Sequence, residues 1–181
     1  MDAKALEKLR YPIGKFSSPE EISNEQIKAW VQKLDAFPER LAELVAPLSE
    51  EQLETLYRPE GWTIRQVIHH VSDSHHHSYI RFKWALTENE PVIKPYDEKG
   101  WAELHDTKSA PIQMSLEHLR IVHTKLVYLL RGLNPGDLDR TFIHPDDGST
   151  NSLKENIGRY VWHGNHHYAH IEEACKRNGW L

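Results

Sequence analysis

Four stretches of this chain repeat their apolar residues at steps of three and four, the period of an amphipathic helix. The first is "NEQIKAWVQKLDAFPERLAELVAPL", with Ile27, Trp30, Val31, Leu34, Leu41, Leu44 and Val45 on the pattern. Pro38 falls inside it and predicts a kink or a restart. The second, "TIRQVIHHVSDSHHHSYIRFKWALTE", opens on Thr63 with Gln66 three residues on, the spacing of a capping box. The third, "IQMSLEHLRIVHTKLVYLLRGL", carries Leu116, Leu119, Val122, Leu126 and Leu129 along one stripe. The fourth runs from about Leu153 to Arg177, opened by Ser152 and Glu155 at the same box spacing and closed before Gly179. Few strand signals accompany these segments. The chain is therefore expected to be all-α, an up-down four-helix bundle. A three-helix core with a peripheral fourth helix is the other arrangement these faces allow.

The segments between the helices set the rest of the organisation. "LRYPIGKFSSPEEIS" reads as an extended N-terminal arm, "SEEQLETLY" as a short turn of helix, and "RPEGW" as a break. Asn89 to Pro111 contains three prolines, one glycine and no sustained period, and reads as a long loop between helices 2 and 3. A loop of that length in a small domain is more often used for binding or association than idle. "NPGD" turns the chain, and "RTFIHPDDGSTN" is expected to form a short strand or hairpin. All 181 residues are expected to form a single domain.

Composition excludes several classes of function. The net charge is -5 with histidine neutral, and no block of Lys and Arg stands out. That argues against a nucleic-acid partner, which needs a concentrated basic face, and against a polybasic membrane patch. No apolar run is long enough to span a bilayer, and "MDAKALEKLRYP" is too polar for a signal region. Cys175 has no partner for an internal disulfide, so a cytoplasmic location is expected.

The unusual number is 13 histidines, most of them in two clusters. "VIHHVSDSHHHSY" holds His69, His70, His75, His76 and His77; "YVWHGNHHYAH" holds His163, His166, His167 and His170. At about 100° per residue, Ile64, Val67, Ile68, Val71, Phe82, Ala85 and Leu86 share one arc of the second helix. His70 lies at its edge, His77 on the same edge, and His75 inside it. His69 and His76 point away and are expected to face solvent. On the fourth helix Leu153, Ile157, Tyr160, Val161, Gly164, Ile171 and Cys175 form the arc, with His163 and His167 together at its edge. Gly164 costs helix stability, roughly 1 kcal/mol against Ala, and is expected to admit a neighbouring helix.

Two histidines at i and i+4 aim at one point, and one from a neighbouring helix completes three ligands. His70, His163 and His167 are thus the expected metal ligands. Three neutral imidazoles suit Zn, Ni, Co or Fe(II) and leave positions open for water or substrate. Zinc and nickel are the leading ions. The helical metalloprotease pattern H-E-x-x-H is absent, since Gly164 stands where its Glu would be. Each remaining histidine also has a plain structural reading. His69, His75, His76 and His166 are expected at the surface or core edge, and His105, His118, His123 and His144 at the surface. His77 and His170 are candidates to hydrogen-bond the ligands, and Asp73, one turn from His70, to orient its ring. Cys175 reads as a packed apolar residue rather than a nucleophile. Trp62 and Trp162 lie close in sequence to the site.

At this point the sequence resembles a family. "GWTIRQVIHHVSDS" is similar to the second-helix motif of the DinB-like superfamily, and "YVWHGNHHYAHI" to its fourth-helix H-x-x-x-H motif. "LRYPIGKF", "TENEPVIKPYDEKGWAEL" and "TFIHPDDG" are closer still to its YfiT-type branch. The resemblance spans nearly the whole chain. It implies a four-helix bundle, homodimers and a three-His divalent metal site whose ligands fall on His70, His163 and His167. That branch is described as metal-dependent hydrolases, whereas relatives in the superfamily include bacillithiol S-transferases and mycothiol-dependent isomerases.

Two reactions follow from one open metal. It can bring the pKa of water towards ~7, which gives a hydrolase, or it can deprotonate a low-molecular-weight thiol cosubstrate, which gives an S-transferase acting on small electrophiles. A third reading is a non-catalytic metal-binding bundle. Structural zinc sites are usually closed by four ligands rich in Cys, so a three-His set favours the enzyme readings with a small-molecule substrate.

Overall fold

The computed structural model describes residues 2–181, and its long helices are those the periodicity predicts. α1 (Ala3–Arg10) is additional: the Asp2 side chain accepts the Ala5 N–H at 2.7 Å and starts a helix of Ala, Leu, Lys and Glu. Leu9 and Arg10 therefore belong to a helix, and the irregular arm spans 11–22. α2 (Asn24–Val45) runs through Pro38 without a restart and buries that proline. α3 (Glu50–Leu53) is the short turn, opened by a Ser49–Gln52 capping box. α4 (Ile64–Thr87) begins at the Thr63–Gln66 box. The expected surface excursion is partly structured. It contains α5 (Glu98–Ala102), capped by Asp97, and α6 (His105–Ser109). Each is barely one turn, too short to show a period. α7 (Ile112–Arg131), α8 (Pro135–Leu138), the antiparallel pair β1 (Thr141–Ile143) and β2 (Thr150–Ser152), and α9 (Leu153–Arg177) complete the chain.

The four long helices form the bundle, but chain order is not the order around it. α4 packs on α7 and α9, and α2 also packs on α7 and α9. Successive long helices α2 and α4 thus face each other across the diagonal, as do α7 and α9. The segments 46–63 and 132–152 cross the bundle ends. Arg65 secures the first crossing: its buried guanidinium bonds Glu50 and Glu54 and reaches the Ala110 carbonyl at 3.0 Å. The second is held by Arg140, which donates to the carbonyls of Ala85 and Glu88.

Two apolar clusters fill the interior. One joins Leu34, Phe82, Leu126, Phe142, Leu153 and Ile157; the other joins Phe37, Leu41, Ile64, Ile68, Leu119 and Ile171. Gly164 does admit a neighbour, because a Cβ there would stand 3.0 Å from the Phe37 ring of α2. Gly158 is tighter, with Trp30 of α2 at 2.6 Å from such an atom. Cys175 is fully buried in the second cluster, and burial pushes its thiol up, so it packs rather than attacks. Among the described residues no helix is long and apolar enough to cross a membrane.

Candidate metal centre

Where α4 and α9 pack, the bundle brings together His70, His163 and His167. One ring nitrogen from each lies within 4.8 Å of the others. The ring centroids are 5.3 Å apart for His70–His163, 4.8 Å for His70–His167 and 4.6 Å for His163–His167. One turn of α9 separates the pair, and the close seat of α9 on α2 at Gly164 holds that turn in the core. His70 and His167 are buried, and His163 sits half-buried at the edge. Burial holds the His70 imidazole down to about 3 and those of His163 and His167 well below the usual range, with the neighbouring histidines adding to the effect. All three are therefore neutral near pH 7, the form that carries a ligand lone pair.

The three rings open on a cavity of about 980 Å³. Trp62 packs against His70 at 4.7 Å between ring centroids, and Tyr57 against His170 at 4.1 Å. The N-terminal segment supplies Glu7, Arg10, Tyr11 and Lys15 to one wall, and the 89–111 segment supplies Glu98, Lys99 and Glu103 to another. Desolvation raises the Glu98 carboxyl, opposed by the Arg81 charge, although the residue itself is solvent-exposed. Trp162 stacks on His166 at 4.6 Å and donates its indole N–H to the Gly14 carbonyl, fastening the arm across the site.

Several histidines lie elsewhere than their own helix suggests. His69 is buried rather than solvent-facing, bonded to Ser115 Oγ at 2.7 Å and the Ala110 carbonyl at 3.2 Å. His76 is half-buried and pairs with His118 at 2.8 Å, and Ser72 holds the other side of His118. His123, expected at the surface, is 1% exposed, and His75 is completely enclosed. They bond each other at 2.8 Å, and His75 reaches His163 at 3.2 Å. His166 lines the cavity, its Nδ1 buried without a partner. His170 approaches His167 at 3.4 Å, as a supporting residue should. His77 instead bonds the Asp73 carbonyl of its own helix and stacks on Tyr96 at 4.2 Å. Asp73 makes no hydrogen bond to His70; burial and nearby Asp106 lift its carboxyl to about 6. The residue beside His70 Nδ1 is Tyr96, at 3.4 Å. Two sequence signals pointed to the hidden pair. His123 falls between Leu119 and Leu126, and His75 between Val71 and Phe82, each at the centre of an apolar stripe.

A helical bundle that gathers three imidazoles, two buried and one half-buried, under an open cavity defines a class, and sequence comparison agrees with it. This chain belongs to the DinB superfamily, whose family profile matches residues 33–171. A relative from Oceanobacillus iheyensis, named "Putative metal-dependent hydrolase", is 52% identical over 94% of this chain and 98% of its own length. Another of the same name from Bacillus mycoides is 49% identical over 97% of this chain and 100% of its own. Among solved structures, YfiT from Bacillus subtilis, described as a probable metal-dependent hydrolase with an unusual four-helix bundle topology, superposes with a TM-score of 0.95. It shares 47% identity over 96% of this chain and 99% of its own.

Proposed function

We propose that His70, His163 and His167 hold one divalent transition metal ion and that the protein is a metal-dependent hydrolase of small molecules. The observation that carries this reading is the convergence of three neutral imidazoles beneath a cavity large enough for a substrate. The donor set fits such an ion, since imidazoles alone suit Zn, Ni, Co or Fe(II). The names of the relatives agree with it. When bound, the ion supplies Lewis acidity that brings the pKa of water towards ~7. The chain's own residues do the rest. Trp62 and Tyr57 shield one flank of the imidazoles from bulk water, and the charged walls orient the substrate. Glu98, with its raised carboxyl facing the same cavity, is positioned in this reading to take up and return a proton.

The test is metal content by elemental mass spectrometry on wild type beside His70→Ala, His163→Ala and His167→Ala, each checked for helicity. One metal per wild-type chain, lost from every folded variant, is the expected result. Retention in all three would refute this ligand set, and a wild type that stays metal-free after reconstitution would refute the metal reading. Turnover of ester or amide panels in water alone, impaired in Glu98→Gln, is expected next. A strict requirement for an added thiol would replace hydrolysis by thiol transfer.

A further inference from the structure

Pro38 lies within α2 and has no N–H, so the carbonyl four residues back, that of Leu34, receives no donor from its own helix. The donor comes from α7 instead. His123 Nδ1 stands 2.6 Å from the Leu34 oxygen. A carbonyl only accepts, so His123 carries its proton on Nδ1 and, as a neutral ring, offers a lone pair at Nε2. His75 Nδ1 is 2.8 Å from that lone pair and must donate to it. His75 Nε2 is then bare, and His163 Nδ1 donates to it across 3.2 Å. The row ends with an unprotonated Nε2 on His163, whose one hydrogen-bonding neighbour among the described residues is the Ser74 hydroxyl at a long 3.4 Å.

A second row has the same logic. The Arg10 carbonyl, at the last residue of α1, is also left without a helical donor. His170 Nε2 donates to it at 3.1 Å. His170 Nδ1 therefore accepts, and the group facing it at 3.4 Å is His167 Nδ1. Nε2 of His167 is left bare. Near His70 the partner is the Tyr96 hydroxyl, which both donates and accepts and so fixes nothing alone.

We propose that His75, His123 and His170 are positioning residues, and that two rows anchored on the Leu34 and Arg10 carbonyls lock His163 and His167 in the tautomer that presents Nε2 to a divalent ion. A ligating histidine commonly gives its second N–H directly to a carbonyl or carboxylate; here other imidazoles stand between. Neither row conducts a proton, because a main-chain carbonyl has none to pass on. The rows act on orientation and tautomer alone. This inference rests on the metal-centre reading above, but its first test needs no metal.

That test is a long-range ¹H–¹⁵N spectrum of ¹⁵N-histidine-labelled apoprotein, which reports which nitrogen of each ring is protonated. His75, His123, His163 and His167 are expected as Nδ1–H tautomers and His170 as Nε2–H. In His123→Leu the His163 tautomer is expected to become mixed, and the affinity for Zn²⁺ or Ni²⁺ in a chelator competition to fall about 10- to 100-fold. His123→Gln, which keeps one donor and one acceptor, should recover most of both. Pro38→Ala returns an N–H to Leu34 and should shift the same His163 signals less, giving a second variant should His123→Leu fail to fold. An Nε2–H tautomer at His163 or His167 in wild type would overturn the proposal. So would an unchanged tautomer and affinity in folded His123→Leu. The expected tautomers in a protein that takes up no ion would support the rows and refute the metal centre.

Discussion

His163 has two kinds of neighbour. On the cavity side are His70 and His167, each with a ring nitrogen within 4.8 Å of one on His163. On the bundle side are His75 and His123, hydrogen-bonded end to end and closed by a main-chain carbonyl. Both groups are largely enclosed imidazoles, yet of the two only His75 and His123 have both ring nitrogens in contacts of 3.2 Å or less. Burial therefore does not separate a ligand histidine from a structural one. The separating feature is whether both ring nitrogens are held closely by partners within the chain.

Acid should make the largest break in this arrangement. Burial holds His70 and His170 down to about 3 and His123 and His166 down to about 4, against a value near 6.5 in the unfolded chain. Between those limits the unfolded state binds more protons, so stability is present above pH 6.5 and is lost as the pH falls towards 3 to 4. Asp73, lifted to about 6, acts in the opposite sense but is one group against several. Urea titrations of apoprotein from pH 8 to 4 should show a steep fall, and a flat profile would contradict the burial of the histidines.

Metal should act on one side of His163 only. At a free ion concentration a thousandfold above Kd the stabilisation is about 4 kcal/mol, visible as a rise in Tm. The rise should vanish in His70→Ala, while the apoprotein of that variant keeps a near wild-type Tm. An effect of comparable size falls on the other side. His123→Leu leaves the His75 N–H and the Leu34 carbonyl without partners, each costing about 1–3 kcal/mol. Its apoprotein should therefore melt earlier than that of His70→Ala, as read by circular dichroism. The reverse order would erase the distinction between the two groups.

Much of this could be read in the residues. Ser152 and Glu155, with Gly179 beyond the end, gave both limits of α9, and the arc edges of two helices brought His70, His163 and His167 together. What one helix cannot reveal is what faces it. His69 points away from its own apolar arc and still lies buried, because the chain between α6 and α7 covers it. His123 and His75 are hidden from any rule that sends histidine to the surface, although each occupies a core position. Neighbour order was equally illegible, since periodicity gives each helix a face but not the helix that meets it. The short helices α5 and α6 escaped because a single turn has no period to detect.

The arm adds a last consequence. Glu7, Arg10, Tyr11 and Lys15 shape the cavity wall, yet none of them belongs to the three-histidine group. In the proposed hydrolase, the groups that would hold the metal and part of the wall that would meet the substrate thus lie in separate parts of the chain. The side chains of residues 7–15 can change without altering the imidazole geometry, provided the Arg10 carbonyl keeps its place. A lineage could retune what it processes by editing its first few residues, leaving the bundle as a reusable chassis.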